Sequence, residues 1–139
     1  MTTVLFACVH NAGRSQMAAA LFNRLADPAS ARAVSAGTEP AAHVHPEVVS
    51  VMRELEIDLS AAPTRRLTDA LARSAQVLVT MGCGEQCPIV PGVRRVDWSI
   101  EDPKGQGLEG VRRIREMIRA QVLDLVTANG WAQPARPSS

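Results

Sequence analysis

The chain contains no tyrosine, and two tryptophans and two phenylalanines bring aromatics to only 3% of its 139 residues. Proteins that grip single-stranded nucleic acid need exposed aromatic platforms and a basic groove. Fifteen basic residues against fourteen acidic ones leave a net charge of +1, so nucleic acid is not an expected partner. Lysine is reduced to Lys104, and the other fourteen cations are arginine. No apolar run approaches the roughly 20 residues that cross a bilayer. Met1 to Phe6 has neither the basic start nor the long apolar stretch of a secretory signal. No membrane partner is expected. Cysteine is scarce and odd in number: Cys8, Cys83 and Cys87. A disulfide-stapled secreted domain usually carries an even set. These absences together point to a cytoplasmic protein, where thiols stay reduced and cysteines are catalytic, metal-binding or simply buried.

What is present is apolar material, 46% of the chain against 21% charged. That suffices for one buried core and argues against disorder. Thr3 to Ala7 is a short β-leaning run that stops at a polar loop, Cys8 to Arg14. From about Ser15, Met17, Leu21 and Leu25 recur at helical spacing until Pro28 closes the segment. Ala31 to Ala36 predicts a second strand, ended by Gly37. Pro46 suits a helix first turn, with Val48, Val51, Met52 and Leu55 on one face. A short helix follows from Thr68, its N-cap, to about Arg73. Gln76 to Met81 is the clearest strand, and Val93 to Trp98 a weak fourth. A long helix from about Leu108 to Asn129 turns Val111, Ile114, Ile118, Val122 and Leu125 inward, and Gly130 ends it. Alternation of this kind implies right-handed crossovers and a parallel sheet of four strands with helices on both faces. One domain is expected over residues 1–132, with residues 133–139 a disordered Pro/Ser-rich tail. In such sheets ligands bind beyond the carboxyl ends of the strands. Cys8, Cys83 and Asp102 all follow strand ends.

The strongest local signal is Cys8-Val9-His10-Asn11-Ala12-Gly13-Arg14-Ser15, of the form C-x5-R-S, between a strand and a helix. A loop of this length can wrap the backbone N–H groups of residues 9–14 around a tetrahedral oxyanion, and the helix N-terminus adds positive potential. Arg14 would clamp two anion oxygens. The same field would favour the thiolate of Cys8, to which Ser15 can donate. His10 is read as a backbone contributor rather than a base. The bland alternative is a buried cysteine with an arginine nearby by chance. The agreement of strand, glycine-bearing loop and helix start weighs against it.

These residues, with Gln16-Met17-Ala18, resemble the anion loop of arsenate reductases built on the low-molecular-weight tyrosine phosphatase fold. Ser35-Ala36-Gly37-Thr38, Met81-Gly82-Cys83 and Asp102-Pro103 continue that family's motifs in order, over about residues 3–126. The resemblance implies a flavodoxin-like three-layer α/β/α fold. It also implies arsenate as substrate, phosphate or sulfate as competing oxyanions, and a role in arsenical resistance. In the related phosphatases an Asp before Pro is the general acid, and proline biases the preceding residue toward an extended backbone. Asp102 takes that role here, with Glu101 and Asp97 as fallbacks; the plain alternative is an acidic turn before a helix. Reducing arsenate takes two electrons, hence two thiols. The resemblance implies that Cys8 would attack arsenic, Cys83 would attack the Cys8 sulfur, and Cys87 would close a Cys83–Cys87 disulfide for an external reductant. Thioredoxin suits that terminal disulfide; mycothiol or glutathione could instead act on Cys8 directly. No bound cofactor or metal is implied, and a monomer is expected.

Two departures stand out. Relatives separate their loop cysteines by more than the three residues between Cys83 and Cys87. Some also bind potassium through an acidic residue early in the first helix, where this chain has Ala19. The alternatives are a phosphatase acting on phosphate monoesters with Cys8, Arg14 and Asp102, an arsenate–mycothiol transferase, and an oxyanion-binding or arsenic-sensing module. A zinc site finds only two cysteines in one loop, and His43 and His45 lie elsewhere without ligand spacing. Gly105 to Gly110 matches G-x-G-x-x-G, but no βαβ unit can follow it. His43, His45, Arg65 and Arg66 read as surface features.

Overall fold

The computed structural model describes residues 1–82 and 90–133. Among the described residues eight elements follow in the expected order: β1 (Thr2–Cys8), α1 (Arg14–Leu25), β2 (Ala31–Gly37), α2 (Pro46–Arg53), α3 (Asp69–Ser74), β3 (Val77–Thr80), β4 (Arg94–Asp97) and α4 (Gly107–Ala128). The four strands form one sheet in the order β2-β1-β3-β4, and every pairing is parallel. The order reverses between β1 and β3, which places the crevice for a ligand at the end of β1, where Cys8 stands.

Local chemistry explains the boundaries. Pro46 occupies the first turn of α2. Thr68 caps α3, its hydroxyl accepting from the Leu71 N–H at 3.1 Å. Gly130, at φ +71°, stops α4 in the left-handed conformation glycine adopts freely. β3 and β4 are each one residue shorter at both ends than the sequence suggests. Three of the flanking residues still bond to the sheet: Gln76 N to Thr3 O at 3.0 Å, Met81 N to Ala7 O at 2.8 Å, and Trp98 N to Thr80 O at 2.9 Å.

Alternation along the strands builds two unequal cores. Val4, Phe6, Cys8, Val77 and Val79 pack with Met17, Leu21 and Phe22 of α1, Val48, Val51 and Met52 of α2, and Val111, Ile114, Ile118 and Val122 of α4. Leu5, Ala7 and Leu78 face the other way, against Ala72 of the short α3 and Ala75 beyond it. The three layers are therefore a thick helical layer, the sheet, and a thin one. Glu54 at the end of α2 accepts from Arg112 and Arg115 of α4 at 2.7–2.9 Å, and Arg115 also donates to Val51 O at 2.8 Å.

The outer edge of β2 is occupied from within the chain. The Asn23 side chain pairs with both backbone groups of Ala33, at 2.8 and 3.1 Å. Further along, Gly37 exchanges bonds with Arg65 O and Leu67 N, both at 2.8 Å. After α4 the chain returns to α1. Trp131 meets the Phe22 ring edge-on at 5.9 Å, and Ala132 bridges Ala26. Gln133, expected to begin the loose tail, donates through its side chain to Arg24 O at 3.0 Å. The rest of that expected tail, residues 134–139, lies outside the described residues. Among the described residues no helix is long and apolar enough to cross a membrane.

Candidate active site

The loop between β1 and α1 has a backbone with two sides. All six carbonyls from Cys8 to Gly13 are engaged. Thr38 N donates to Cys8 O at 3.1 Å, Glu39 N to Val9 O at 2.7 Å, Ala41 N to His10 O at 2.9 Å and His45 N to Ala12 O at 2.9 Å. Gln16 Nε2 reaches Asn11 O at 3.1 Å, and Met17 N reaches Gly13 O at 3.0 Å. In a planar trans peptide the N–H points opposite the carbonyl. Anchoring every carbonyl against neighbouring segments therefore turns the N–H groups that follow, residues 9–14, away from those anchors. This is the arrangement an oxyanion needs.

Cys8 lies at the end of β1, 3% exposed, with Sγ 2.9 Å from Ser15 Oγ. The direction of that hydrogen bond follows from its neighbours. Arg65 N–H, a pure donor, reaches Asn11 Oδ1 at 2.9 Å. That contact fixes the amide, so Asn11 Nδ2 faces Ser15 Oγ at 2.8 Å as a donor. The Ser15 hydroxyl hydrogen is thereby left for the Cys8 sulfur. Asn11 is fully buried and sits at φ +50°, a conformation asparagine tolerates better than most residues. Gln16 Nε2 supports it from behind, at 3.3 Å from Asn11 Oδ1 and 2.9 Å from Pro63 O.

Arg14 opens α1 and is 8% exposed. Its Nη1 donates to Ile100 O at 2.9 Å, and its Nη2 stands 4.0 Å from Asp102 Oδ2. The Nε–Nη2 edge remains for an anion. Asp102 reaches this place because Pro103 packs on the loop: a Cβ on Gly13 would lie 2.8 Å from Pro103 Cγ. Asp102 Oδ1 accepts from Lys104 N at 3.0 Å, and the side chain is half exposed. The fallback acids are differently placed. Glu101 pairs with Arg113 at 3.2 Å. Asp97 accepts from the Thr80 hydroxyl and from Arg95, and these contacts hold its carboxyl below the ordinary range, which suits an acceptor better than a proton donor.

Cys8, Val9, His10, Asn11, Ala12, Gly13, Arg14, Ser15 and Asp102 thus converge at one end of the sheet. Cys83 and Cys87 lie outside the described residues. Three features were not anticipated. The Asn11 side chain has a faint signal, an asparagine in a glycine-bearing loop. Gln16 stands in the motif that carries the resemblance, but its contact with Asn11, like that of the Pro63–Arg65 backbone, has no sequence signal, since these contacts exist only after folding. His45, read as a surface residue, is half-buried at the start of α2, with its ring close to Gly13. The His10 Nδ1 lies 3.1 Å from Glu39 O, on the outer side of the loop.

A sequence model of the family described as low molecular weight phosphotyrosine protein phosphatase matches residues 3–130. The chain belongs to that family. Within it, the chain is similar to a Halobacterium salinarum protein provisionally named an arsenate reductase, with 42% identity over 126 residues, 86% of this chain and 87% of the relative. It is 32% identical to the glutaredoxin arsenate reductase of a Synechocystis species, over 91% of this chain and 97% of that one. Among solved structures it resembles the thioredoxin-dependent arsenate reductase of Corynebacterium glutamicum, with a TM-score of 0.80 and 38% identity. That match covers 92% of this chain but only 61% of the larger neighbour. The family fold is the α/β arrangement described above.

Proposed function

We propose that this protein reduces arsenate to arsenite. The observation that supports this best is the anion loop itself: a ring of outward-anchored carbonyls closing on Cys8, with Arg14 and Asp102 at its mouth. The named relatives supply the substrate. Loop N–H groups and the Arg14 fork hold the arsenate oxygens. Cys8 attacks arsenic and forms a sulfur–arsenic bond, while Asp102 protonates the departing oxygen, which leaves as water. Cys83 then attacks the Cys8 sulfur. The electron pair of the sulfur–arsenic bond passes to arsenic, arsenite departs, and a Cys8–Cys83 disulfide remains. Cys87 attacks Cys83, freeing Cys8 and leaving Cys83–Cys87 oxidised for thioredoxin. The protein needs no bound cofactor for this cycle, and its place is the cytoplasm.

A second reading is favoured by the family description: hydrolysis of phosphate monoesters, which needs only Cys8, Arg14 and Asp102. The two separate cleanly. Cys83→Ser stops arsenate reduction by thioredoxin but spares hydrolysis of para-nitrophenyl phosphate. Cys87→Ser releases about one arsenite per enzyme, by the stoichiometry of the relay, and traps a Cys8–Cys83 disulfide visible by peptide mass spectrometry. Loss of Cys8 abolishes both reactions. Should both loop-cysteine variants reduce arsenate at the wild-type rate with mycothiol or glutathione, the relay is wrong and the small thiol does the work assigned to Cys83.

A further inference from the structure

Arg14 is fixed before any anion arrives. One anchor is Ile100 O, which takes Nη1 at 2.9 Å. A second comes from the end of β3. Gly82 has φ +89°, and a Cβ built on it would stand 2.5 Å from Arg14 Nη1, 3.1 Å from Cζ and 3.2 Å from Nη2. The guanidinium therefore occupies the space that any side chain at position 82 would need. Gly92, in the same β3–β4 connection, makes the comparison clean. Its φ is +85°, nearly the same, yet among the described residues a Cβ there would meet nothing within 4 Å. The backbone alone accounts for glycine at 92; at 82 there is a second reason.

We propose that Gly82 is a positioning residue for oxyanion binding. Its bare Cα is the seat on which the Arg14 guanidinium rests, and that seat, with Ile100 O, presents the Nε–Nη2 edge to the anion. A side chain at 82 pushes the fork off line, and a bidentate clamp is sensitive to such displacement. Gly82 is also bonded directly to Cys83, so the anion clamp rests one peptide away from the proposed resolving thiol. The inference rests on the reading of Arg14 as the clamp.

The test is phosphate binding by titration calorimetry, which requires no turnover. Gly82→Ala weakens phosphate by about 10- to 100-fold, the range for losing a hydrogen bond to a charged group. Gly82→Asn brings the same Cβ with less left-handed strain, and it gives the same loss if the alanine variant is unstable. Gly92→Ala carries comparable strain and leaves affinity unchanged. Arg14→Lys alone also weakens phosphate, and adding Gly82→Ala to it costs nothing further, because the seat no longer holds a guanidinium. Wild-type affinity in both Gly82 variants, or an equal added loss in the Arg14→Lys background, overturns the proposal. If Arg14→Lys itself binds phosphate normally, it is the clamp reading that fails.

Discussion

Single side chains decide the chemistry, and two substitutions expose how. Proton donation typically contributes about 10²–10⁴-fold to a rate. Asp102→Asn is expected to lower turnover within that range while phosphate affinity stays nearly intact, since the loop N–H groups and Arg14 still hold the anion. Stopped-flow measurement of the first turnover checks this, and an unchanged rate moves the acid elsewhere. Asn11→Asp tests the direction of the hydrogen bond to sulfur. Its Oδ1 still accepts from Arg65 N–H, but its second oxygen accepts where Nδ2 donated. The Ser15 hydroxyl turns toward the carboxylate and away from Cys8. Ester hydrolysis falls about tenfold, the cost of a lost hydrogen bond at the nucleophile, and the thermal midpoint falls as well, because a carboxylate replaces a neutral amide at a fully buried position. Asn11→Ala instead strands the Arg65 N–H, while Gln16 keeps Asn11 O and Pro63 O, at a cost of about 1–3 kcal/mol, measured by urea denaturation. The presence of Asn11 in the loop was legible in the sequence. Its orientation was not, because that depends on a backbone N–H more than fifty residues away.

Between elements, the apolar contact of α2 with α4 is edged by ion pairs. Arg112 first, then Arg115, hold Glu54 from its ordinary 4.5 down to about 2. A carboxyl with a lowered folded pKa contributes stability above its unfolded value and loses it as pH falls through the folded one. The contribution is therefore complete above about pH 4.5 and fades toward about pH 2. Thermal midpoints recorded from pH 7 to pH 2 should fall less steeply over that window in Glu54→Gln than in the wild type. Parallel curves would show that the ion pairs do not set the acid limit. Most elements could be read in advance because each carries its own punctuation: Pro46, Thr68, Gly130 and the apolar run after Thr3. The strand ends were less legible. Gln76 and Met81 bond to the sheet without lying in a strand, and only the partner segments reveal that.

Across the whole molecule, the sequence pattern specifies a parallel sheet but not the imbalance of its two faces, which arises because α3 is only six residues long. Nor does it foretell the return of the chain to α1. Trp131→Ala removes an edge-on ring pair with Phe22 worth about 0.5–1.5 kcal/mol beyond its buried area. A lower urea midpoint with unchanged phosphate affinity is the expected result, since this contact lies at the end of α1 remote from Arg14. The Asn23 side chain on Ala33 has a consequence for behaviour in a crowded solution. A sheet edge with open N–H and C=O groups templates the strand of a neighbouring molecule. Here a helix residue plays the part of that missing strand at Ala33, the Arg65–Leu67 segment plays it at Gly37, and charged Arg94, Arg95 and Asp97 line the opposite edge strand. Among the described residues, these positions offer a neighbouring copy no ladder to extend. Asn23→Ala uncovers Ala33, and concentrated samples warmed below their unfolding temperature should then scatter light sooner than the wild type.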